Sequence, residues 1–354
     1  MNYSGSNGIR RPPTDRERQL AERRRREALA RRRRAEKRAK RKKIAAIVLV
    51  LILIAAAIYA IALIRDRAGG NVVLSAKELA AVKREEALEE LKDYPVYADA
   101  GGLSSKCVLL CDLTTGKVIC EKNAAETVKI ASLTKIMTAV VAIENVPDLN
   151  AGYTMSESVI RYLRSENASV AGFAAGERVT GYDLLYAAML PSGGDGAMGL
   201  ADLTAGSQEA FVDMMNAKAK ELGMNRTRFT NATGFDDDGN YSCAYDLSLL
   251  FEYALKNDLF RKVATSSTYT TSSTAEHPGG IKLRSTVYGG FADNGIGMGD
   301  VIGGKTGYTY DAGRCLATYA VKDGEEYILI TLGASRTPYH FSDANKIYSE
   351  FVDN

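Results

Sequence analysis

A run of 21 residues without a charge, from Ile44 to Ile64, is the feature that most limits what this chain can fold into. A helix of that length spans roughly 30 Å at about 1.5 Å per residue, the thickness of the hydrocarbon layer of a membrane. A cleavable signal peptide is the alternative, because Ala60–Ala62 resembles a small-residue cleavage site. The run and the 43 residues before it are both long for a signal peptide. The pattern therefore predicts one transmembrane helix at residues 44–64.

The segment before this run, residues 1–43, is strongly basic, with 18 Lys/Arg against 5 Asp/Glu. The positive-inside rule then places this arm in the cytoplasm and the chain after residue 64 outside the cell membrane, as a single-pass protein. Nucleic-acid binding is disfavoured, because the arm has no aromatic residue after Tyr3 to stack on bases. Attraction to anionic membrane lipids is the simpler interpretation.

Residues 65–96 contain many Glu and Lys with apolar residues at helical spacing, which predicts a charged helical stalk or linker. Residues 97–354 have the composition of a globular domain. Their five cysteines lie in apolar contexts, which favours buried thiols over a disulfide framework. Since there is no C-x-x-C motif and only His277 and His340 are present, nothing predicts a metal site.

The globular part has β-prone runs near both of its ends and helical patterns between them. An early pair of runs, Cys107–Asp112 and Lys117–Glu121, reads as a hairpin. Three further β-runs come late, and a closing amphipathic helix follows them: Val301–Tyr308, Arg314–Val321, Glu326–Gly333 and Phe341–Phe351. This order predicts an α+β fold with one antiparallel sheet flanked by helices and a mostly helical lobe.

A serine and a lysine three residues apart, Ser132 and Lys135, stand where an apolar helix begins. Residues i and i+3 of a helix share a face, so the amine can reach the hydroxyl. Apolar surroundings push a lysine toward its neutral form, in which it can accept the hydroxyl proton. Alone, however, S-x-x-K occurs in many helix starts by chance.

Two later segments make this pair more specific. Ser192-Gly193-Gly194 follows a helix in a turn that suits a hydroxyl in a cleft, although it could be an ordinary loop. Lys305-Thr306-Gly307 lies in a β-run flanked by glycines, where the alternative is a hairpin end with a surface lysine. S-x-x-K, a serine-first triplet and K-T-G in this order form the signature of β-lactamases and penicillin-binding proteins.

With these motifs, residues 97–352 resemble the serine-type D-alanyl-D-alanine carboxypeptidases, which are low-molecular-mass penicillin-binding proteins. Further stretches carry the resemblance: Asp112–Lys117, Ala131–Ala139, Gly223–Asn225, Phe229–Gly234, Tyr245–Leu247 and Ala312–Leu316. The resemblance implies a penicillin-binding, β-lactamase-like fold. In that fold the active site lies between the edge of the sheet and the helical lobe.

The resemblance also implies roles for the motif residues. Ser132 would attack the carbonyl between two terminal D-alanines, with Lys135 as the base, and Ser192 would relay a proton to the leaving amine. The backbone N–H groups of Ser132 and Tyr308 would stabilise the oxyanion. On the strand 305–307, the lysine would add positive charge to the cleft and Thr306 would bind the terminal carboxylate of the substrate, next to Gly307.

Two positions depart from the pattern of the family. Gly194 stands where the family usually has an Asn, so the side-chain amide of that Asn is missing. A water or Asp195 could take its place, and its loss could weaken activity. His340 stands where the family often has an Arg that binds the terminal carboxylate, with Arg336 four residues earlier. We expect Arg336 or His340 to supply this contact; unchanged KM and kcat/KM in both alanine variants would exclude it.

Together these features predict a membrane-anchored, penicillin-sensitive carboxypeptidase that removes the terminal D-Ala from the pentapeptide of peptidoglycan. It would need no cofactor, and β-lactams would inhibit it covalently. Because of Gly194, a catalytically weak wall-binding scaffold is the alternative. A β-lactamase ranks last, since Glu221–Asn225 lacks the spacing of its Glu-x-x-Leu-Asn motif. A neutral Lys135 beside a charged Lys305 predicts a mildly alkaline pH optimum.

Overall fold

The computed structural model describes residues 102–352. The basic arm (1–43), the transmembrane helix (44–64) and the stalk (65–96) expected from the sequence all lie outside the described residues. Across residues 102–352, no helix has the length and apolar character needed to cross a membrane.

The centre of the fold is a five-stranded antiparallel sheet whose strands come from both ends of the domain. Its spatial order is β2-β1-β9-β8-β7, so that β7 is an edge strand. The strands are β1 (Cys107–Asp112), β2 (Lys117–Lys122), β7 (Val301–Thr309), β8 (Gly313–Lys322) and β9 (Glu325–Ala334). This confirms the α+β fold and the antiparallel sheet that was predicted to combine the early and late β-runs.

Helices pack on both faces of this sheet. The helices are α1 (Thr134–Asn145), α2 (Glu157–Ser165), α3 (Gly181–Met189), α4 (Gly194–Ala205), α5 (Gln208–Glu221), α6 (Ala244–Leu255), α7 (Asp258–Ala264), α8 (Thr286–Asp293) and α9 (Tyr339–Phe351). Two small antiparallel sheets of two strands each are also present: β3 (Gly152–Thr154) with β4 (Arg178–Thr180), and β5 (Thr268–Thr270) with β6 (Lys282–Arg284). The predicted helices at 182–190, 197–205, 208–222, 245–257 and 341–351 are all present, with shifted ends.

Alternate side chains of β8 belong to two different cores, as the twofold period of a strand requires. Cys315, Ala317 and Tyr319 face the helical lobe, where they join the large cluster built around α1. Leu316 and Ala320 face the opposite side and join a smaller cluster with α8 and α9. Burying a side chain such as Leu316 stabilises the fold by about 1.5–3 kcal/mol. Helices are therefore held on both faces of the sheet by buried apolar side chains.

All five cysteines are free thiols, four of them buried, as their apolar contexts predict. Burial raises the pKa of the Cys120, Cys243 and Cys315 thiols to about 12. Because the thiolate is the reactive form, these three side chains act as small apolar groups in the core.

Candidate active site

Ser132 lies in a single 3₁₀ turn, Ala131–Leu133, that leads directly into α1. Its neighbours Ala131 and Leu133 are buried, whereas Ser132 is only half-buried. Ala131 has a φ of +48°, a left-handed conformation that is strained for a residue with a side chain. The turn therefore holds the Ser132 hydroxyl at the surface of the core and at the positive end of the α1 dipole.

Lys135 lies directly beneath Ser132, with only 2% of its surface exposed. Its Nζ is 2.9 Å from the Ser132 Oγ and donates to the Thr233 carbonyl at 2.7 Å. Burial lowers the pKa of Lys135 to about 7, against an opposing effect of Asp195. A neutral amine can keep its hydrogen bond to Thr233 and offer its lone pair to the Ser132 proton. This geometry suits Ser132 to act as a nucleophile with Lys135 as its base.

The loop that carries Thr233 is organised by Asn231. The Asn231 Oδ1 accepts the backbone N–H groups of Thr233, Gly234 and Phe235 at 3.2, 2.7 and 3.2 Å. This Asx-type turn aims the Thr233 carbonyl at Lys135. Thr233 is assigned no role from the sequence, although the stretch Phe229–Gly234 is among those that resemble the family.

Ser192 occupies the turn between α3 and α4 with a φ of +64° and 8% exposure. The Nζ of Lys305 donates to the Ser192 Oγ at 2.7 Å and to the Thr306 carbonyl at 2.8 Å. Burial and the nearby Lys135 hold the pKa of Lys305 well below its usual range. The resemblance implies that Lys305 adds positive charge to the cleft, and this role stays a prediction. In the structure the amine lies beneath Ser192, where it orients the hydroxyl.

The edge strand β7 passes close to the nucleophile. A Cβ on Gly307 would lie 3.1 Å from the backbone nitrogen of Ser132, so only glycine allows this approach without displacement. Thr306 points to the other face of the sheet, where its hydroxyl is 2.6 Å from that of Thr286 at the start of α8. Tyr308 follows at the rim and is half-exposed.

The two serines and the edge strand line one cleft of about 300 Å³ between the sheet edge, the helical lobe and α8–α9. Its walls include Ser132, Ser169, Ser192, Thr306, Gly307, Tyr308, Arg314 and His340. A larger cavity of about 510 Å³ lies between α2, α4 and α5 and reaches the loop at Thr233. We place the chemistry in the smaller cleft, because the larger cavity is lined by neither serine.

Gly194 begins α4 and does not line the cleft. A Cβ on it would lie 2.6 Å from the Leu163 Cδ2, so Leu163 occupies the space of any side chain there. Asp195 does not replace the missing Asn either. It is fully buried, and its carboxylate accepts the N–H groups of Ala171 and Gly172 at 2.8 and 2.9 Å.

The two residues proposed for the substrate carboxylate differ in position. His340 lines the cleft, and burial with the nearby Arg314 lowers its pKa to about 4, so its ring is neutral at pH 7. Arg336 does not line the cleft; its guanidinium stacks on Tyr339 at 4.7 Å and donates to the Tyr339 hydroxyl. Arg314, which sequence reasoning did not single out, lines the cleft instead.

The state of Lys135 leads to a pH prediction. Only the neutral amine accepts the Ser132 proton, and its pKa is about 7. We therefore expect kcat/KM to rise about tenfold per pH unit below that pKa and to level off above it. Rates on a peptide ending in D-Ala-D-Ala between about pH 5 and pH 9 test this. A profile that is flat or falls with rising pH through this range would contradict it.

Comparisons with known proteins identify the family of this chain. Residues 94–336 match the peptidase S11 family, described as D-alanyl-D-alanine carboxypeptidase. The carboxypeptidase DacF of Bacillus subtilis is 34% identical over 65% of this chain and 58% of its own length. A Streptomyces D-alanyl-D-alanine carboxypeptidase is 35% identical over 66% of this chain and 82% of its own length.

A solved structure shows the same fold. The crystal structure of a Streptomyces DD-transpeptidase superposes with a TM-score of 0.66 at 30% identity, covering 73% of this chain and all of that one. The family match spans residues 94–336 and therefore includes Ser132, Ser192 and the strand Val301–Thr309. The chain therefore belongs to the D-alanyl-D-alanine carboxypeptidase family of serine peptidases, peptidase S11.

Proposed function

We propose that this protein is itself a D-alanyl-D-alanine carboxypeptidase, which removes the terminal D-Ala from the pentapeptide of peptidoglycan. The observation that carries the proposal is the 2.9 Å approach of the Lys135 Nζ to the Ser132 Oγ, in the cleft that also holds Ser192. The family match and the carboxypeptidases of similar sequence support the choice of substrate.

In this reaction the Ser132 oxygen bonds to the carbonyl carbon of the penultimate D-Ala while its proton passes to Lys135. The oxyanion develops at the positive end of α1, where the Ser132 N–H and the neighbouring edge strand supply donors; one such donor contributes about 3–4 kcal/mol to the barrier reduction. The carbon–nitrogen bond then breaks, and the leaving amine takes the proton held by Lys135, relayed by Ser192. Water then attacks the ester and gives a proton to Lys135, which passes it to the Ser132 oxygen as the ester bond breaks, so that neutral Lys135 and the Ser132 hydroxyl are both restored.

Penicillin sensitivity belongs to the same proposal. A β-lactam presents a strained amide next to a carboxylate, so it can enter the cleft as the substrate does and acylate Ser132. The Ser132–Lys135 pair would form this ester readily. Its hydrolysis would be slower than that of the peptide ester, because the amine of the opened β-lactam ring stays joined to the acyl group in the cleft, whereas D-Ala leaves and makes room for water.

Transpeptidation is a second candidate, favoured by the similarity to the Streptomyces DD-transpeptidase. The first half of the reaction is then the same, and an amine of another peptide replaces water as the acceptor. The two reactions differ only in which molecule reaches the acyl-enzyme.

The test measures D-Ala release from a peptide ending in Lys-D-Ala-D-Ala by the full-length protein and by its Ser132→Ala variant, with and without an added acceptor amine. Release that depends on Ser132 establishes the carboxypeptidase. An amide product that outpaces hydrolysis establishes the transpeptidase instead. If the folded protein neither releases D-Ala nor reacts with labelled penicillin at Ser132, the wall-binding scaffold remains as the explanation.

We also propose that residues 44–64 anchor the catalytic domain to the outer side of the cell membrane, with residues 1–43 in the cytoplasm. The uncharged run and the basic residues before it support this arrangement. Membrane lipids would then be partners of the anchor and of the arm. Fractionation of cells that express the full chain tests the proposal. Recovery of the full-length protein in the soluble fraction, with the run still present, would contradict it.

A further inference from the structure

The cleft must hold a negative charge if the proposed function is correct. The substrate of a carboxypeptidase ends in a free carboxylate one residue beyond the bond that breaks. Binding a carboxylate in a partly dry cleft requires a positive charge or several N–H donors. The positive charges around the cleft therefore decide where the end of the substrate lies.

Neither lysine of the motifs is suited to this task. The amine of Lys135 is engaged with Ser132 and Thr233, and that of Lys305 with Ser192 and the Thr306 carbonyl. Both lysines are buried, and burial lowers both pKa values. Each amine is therefore hydrogen-bonded to a serine and is not free to bind the substrate carboxylate.

The two candidates from the sequence carry no charge into the cleft. His340 is 3% exposed, and its pKa of about 4 makes it neutral at the pH of the reaction. A neutral ring can donate one hydrogen bond but offers no positive charge. Arg336 is charged, but it is stacked on Tyr339 away from the cleft walls.

Arg314 remains as the one Lys or Arg side chain among the described residues that line the cleft. It lies on β8 directly opposite Tyr308 of β7, and opposed residues of antiparallel strands point to the same face. Tyr308 and Thr306 are two residues apart, so Thr306 shares that face. Arg314 and the Thr306 hydroxyl therefore point to the same side of the sheet, at its edge.

The geometry of Arg314 is prepared for an anion. Its guanidinium carbon stacks 3.6 Å from the centroid of the Tyr308 ring, which restricts its freedom before any ligand arrives. Its Nε is buried and has no hydrogen-bond partner among the described residues. Asp293, the carboxylate in the cleft wall, is paired with Arg284 at 3.0 Å and so does not satisfy Arg314. A guanidinium stays protonated at all relevant pH values.

We propose that Arg314, held by Tyr308, binds the terminal carboxylate of the substrate together with Thr306, and thereby selects peptides with a free C-terminus. This inference rests on the proposed function. It assigns the carboxylate contact to a residue of β8 in place of Arg336 or His340. A peptide whose terminal carboxylate is blocked or joined to another residue would gain nothing from Arg314.

The test compares two peptides that differ only at the end, Lys-D-Ala-D-Ala as the free acid and as the C-terminal amide. The wild-type protein should prefer the acid. In Arg314→Ala, kcat/KM for the acid should fall about 100-fold while the rate on the amide changes about threefold or less, because only the acid loses a charge-assisted contact. Arg314→Lys should recover part of the preference, since it keeps the charge but not the planar fork.

Arg336→Ala is the matched control, a nearby arginine that also stacks on a tyrosine but lies outside the cleft, and it should leave both rates unchanged. Equal losses on acid and amide in Arg314→Ala would show that Arg314 only supports Tyr308, and would overturn the proposal. An unchanged preference in Arg314→Ala would overturn it as well.

A binding measurement that needs no turnover distinguishes a failure of the proposed function from a failure of the proposed carboxylate site. Ser132→Ala and Ser132→Ala/Arg314→Ala are titrated with both peptides by calorimetry. If wild-type protein releases no D-Ala, a preference for the acid that disappears with Arg314 still supports the carboxylate site. Equal binding of acid and amide to both variants would refute it, whether or not the enzyme turns over.

Discussion

Replacing Lys135 with methionine should abolish acylation and at the same time make the protein more stable. Lys135 is buried, and its pKa falls from 10.5 to about 7 because its surroundings disfavour the charge. Without it nothing accepts the Ser132 proton, so kcat/KM should fall by at least about 10³-fold. Methionine fills a similar volume without a polar group to desolvate. We expect Tm to rise by several degrees near neutral pH.

The stability gain should depend on pH in a defined direction. A lysine whose pKa is lowered on folding is more protonated in the unfolded state, so wild-type stability from this residue rises with pH between the folded and unfolded pKa values. The Tm advantage of Lys135→Met should therefore shrink from about pH 7 to about pH 10. Taking the difference between the two proteins cancels the tyrosines and cysteines that titrate in the same range.

Lys135→Arg separates the two roles in this experiment. Arginine keeps a charge at every pH and cannot act as the base, so this variant should be as inactive as Lys135→Met without its gain in Tm. Retention of more than about a tenth of wild-type kcat/KM in the methionine variant would mean that another group is the base. A lower Tm in that variant would mean that the buried amine stabilises the fold.

The parts of this site that are local in sequence could be predicted from it. Ser132 and Lys135 meet because they are three residues apart at a helix start, and Lys305 and Thr306 point to opposite faces because a strand alternates. The sheet could be predicted because its strands are long and apolar. The short helices α7 and α8, with 7 and 8 residues, were missed because such segments carry little periodic signal.

The remainder depends on contacts between distant segments. The Thr233 carbonyl that holds Lys135 is 98 residues away in the chain. Arg314 shares a face with Thr306 only through the register of β7 and β8, which no local pattern shows. The resemblance to the family predicted that His340 lies near the substrate carboxylate. Its neutral state could not be predicted, because that state follows from burial and from the nearby Arg314. Position in sequence indicated which residues are near the cleft, while burial decided which of them carry charge.

Gly234 lies where the loop of Thr233 packs against the turn of Ser132, two segments that are distant in sequence. We expect Gly234→Ala to reduce both stability and activity strongly. Gly234 has a φ of +82°, and a Cβ on it would lie 2.0 Å from the Ala131 carbonyl oxygen and 2.9 Å from the Ser132 nitrogen. Either the loop that presents Thr233 or the turn that carries Ser132 must then move. Strain and overpacking together should reduce the free energy of unfolding by about 2–5 kcal/mol. A displacement near 1 Å should lower kcat/KM by about 100-fold.

Gly223→Ala is the matched control for this prediction. Gly223 has a similar φ of +75°, but a Cβ there would meet no atom within 4 Å. The control pays only the conformational strain, about 1 kcal/mol, and should keep full activity. Urea unfolding and D-Ala release are measured on both variants. An equal loss of stability in the two variants would mean that the positive φ alone, and not the close contact with Ala131, accounts for the need for glycine at position 234. Full activity in Gly234→Ala would show that the contact between the two loops does not set the position of the nucleophile.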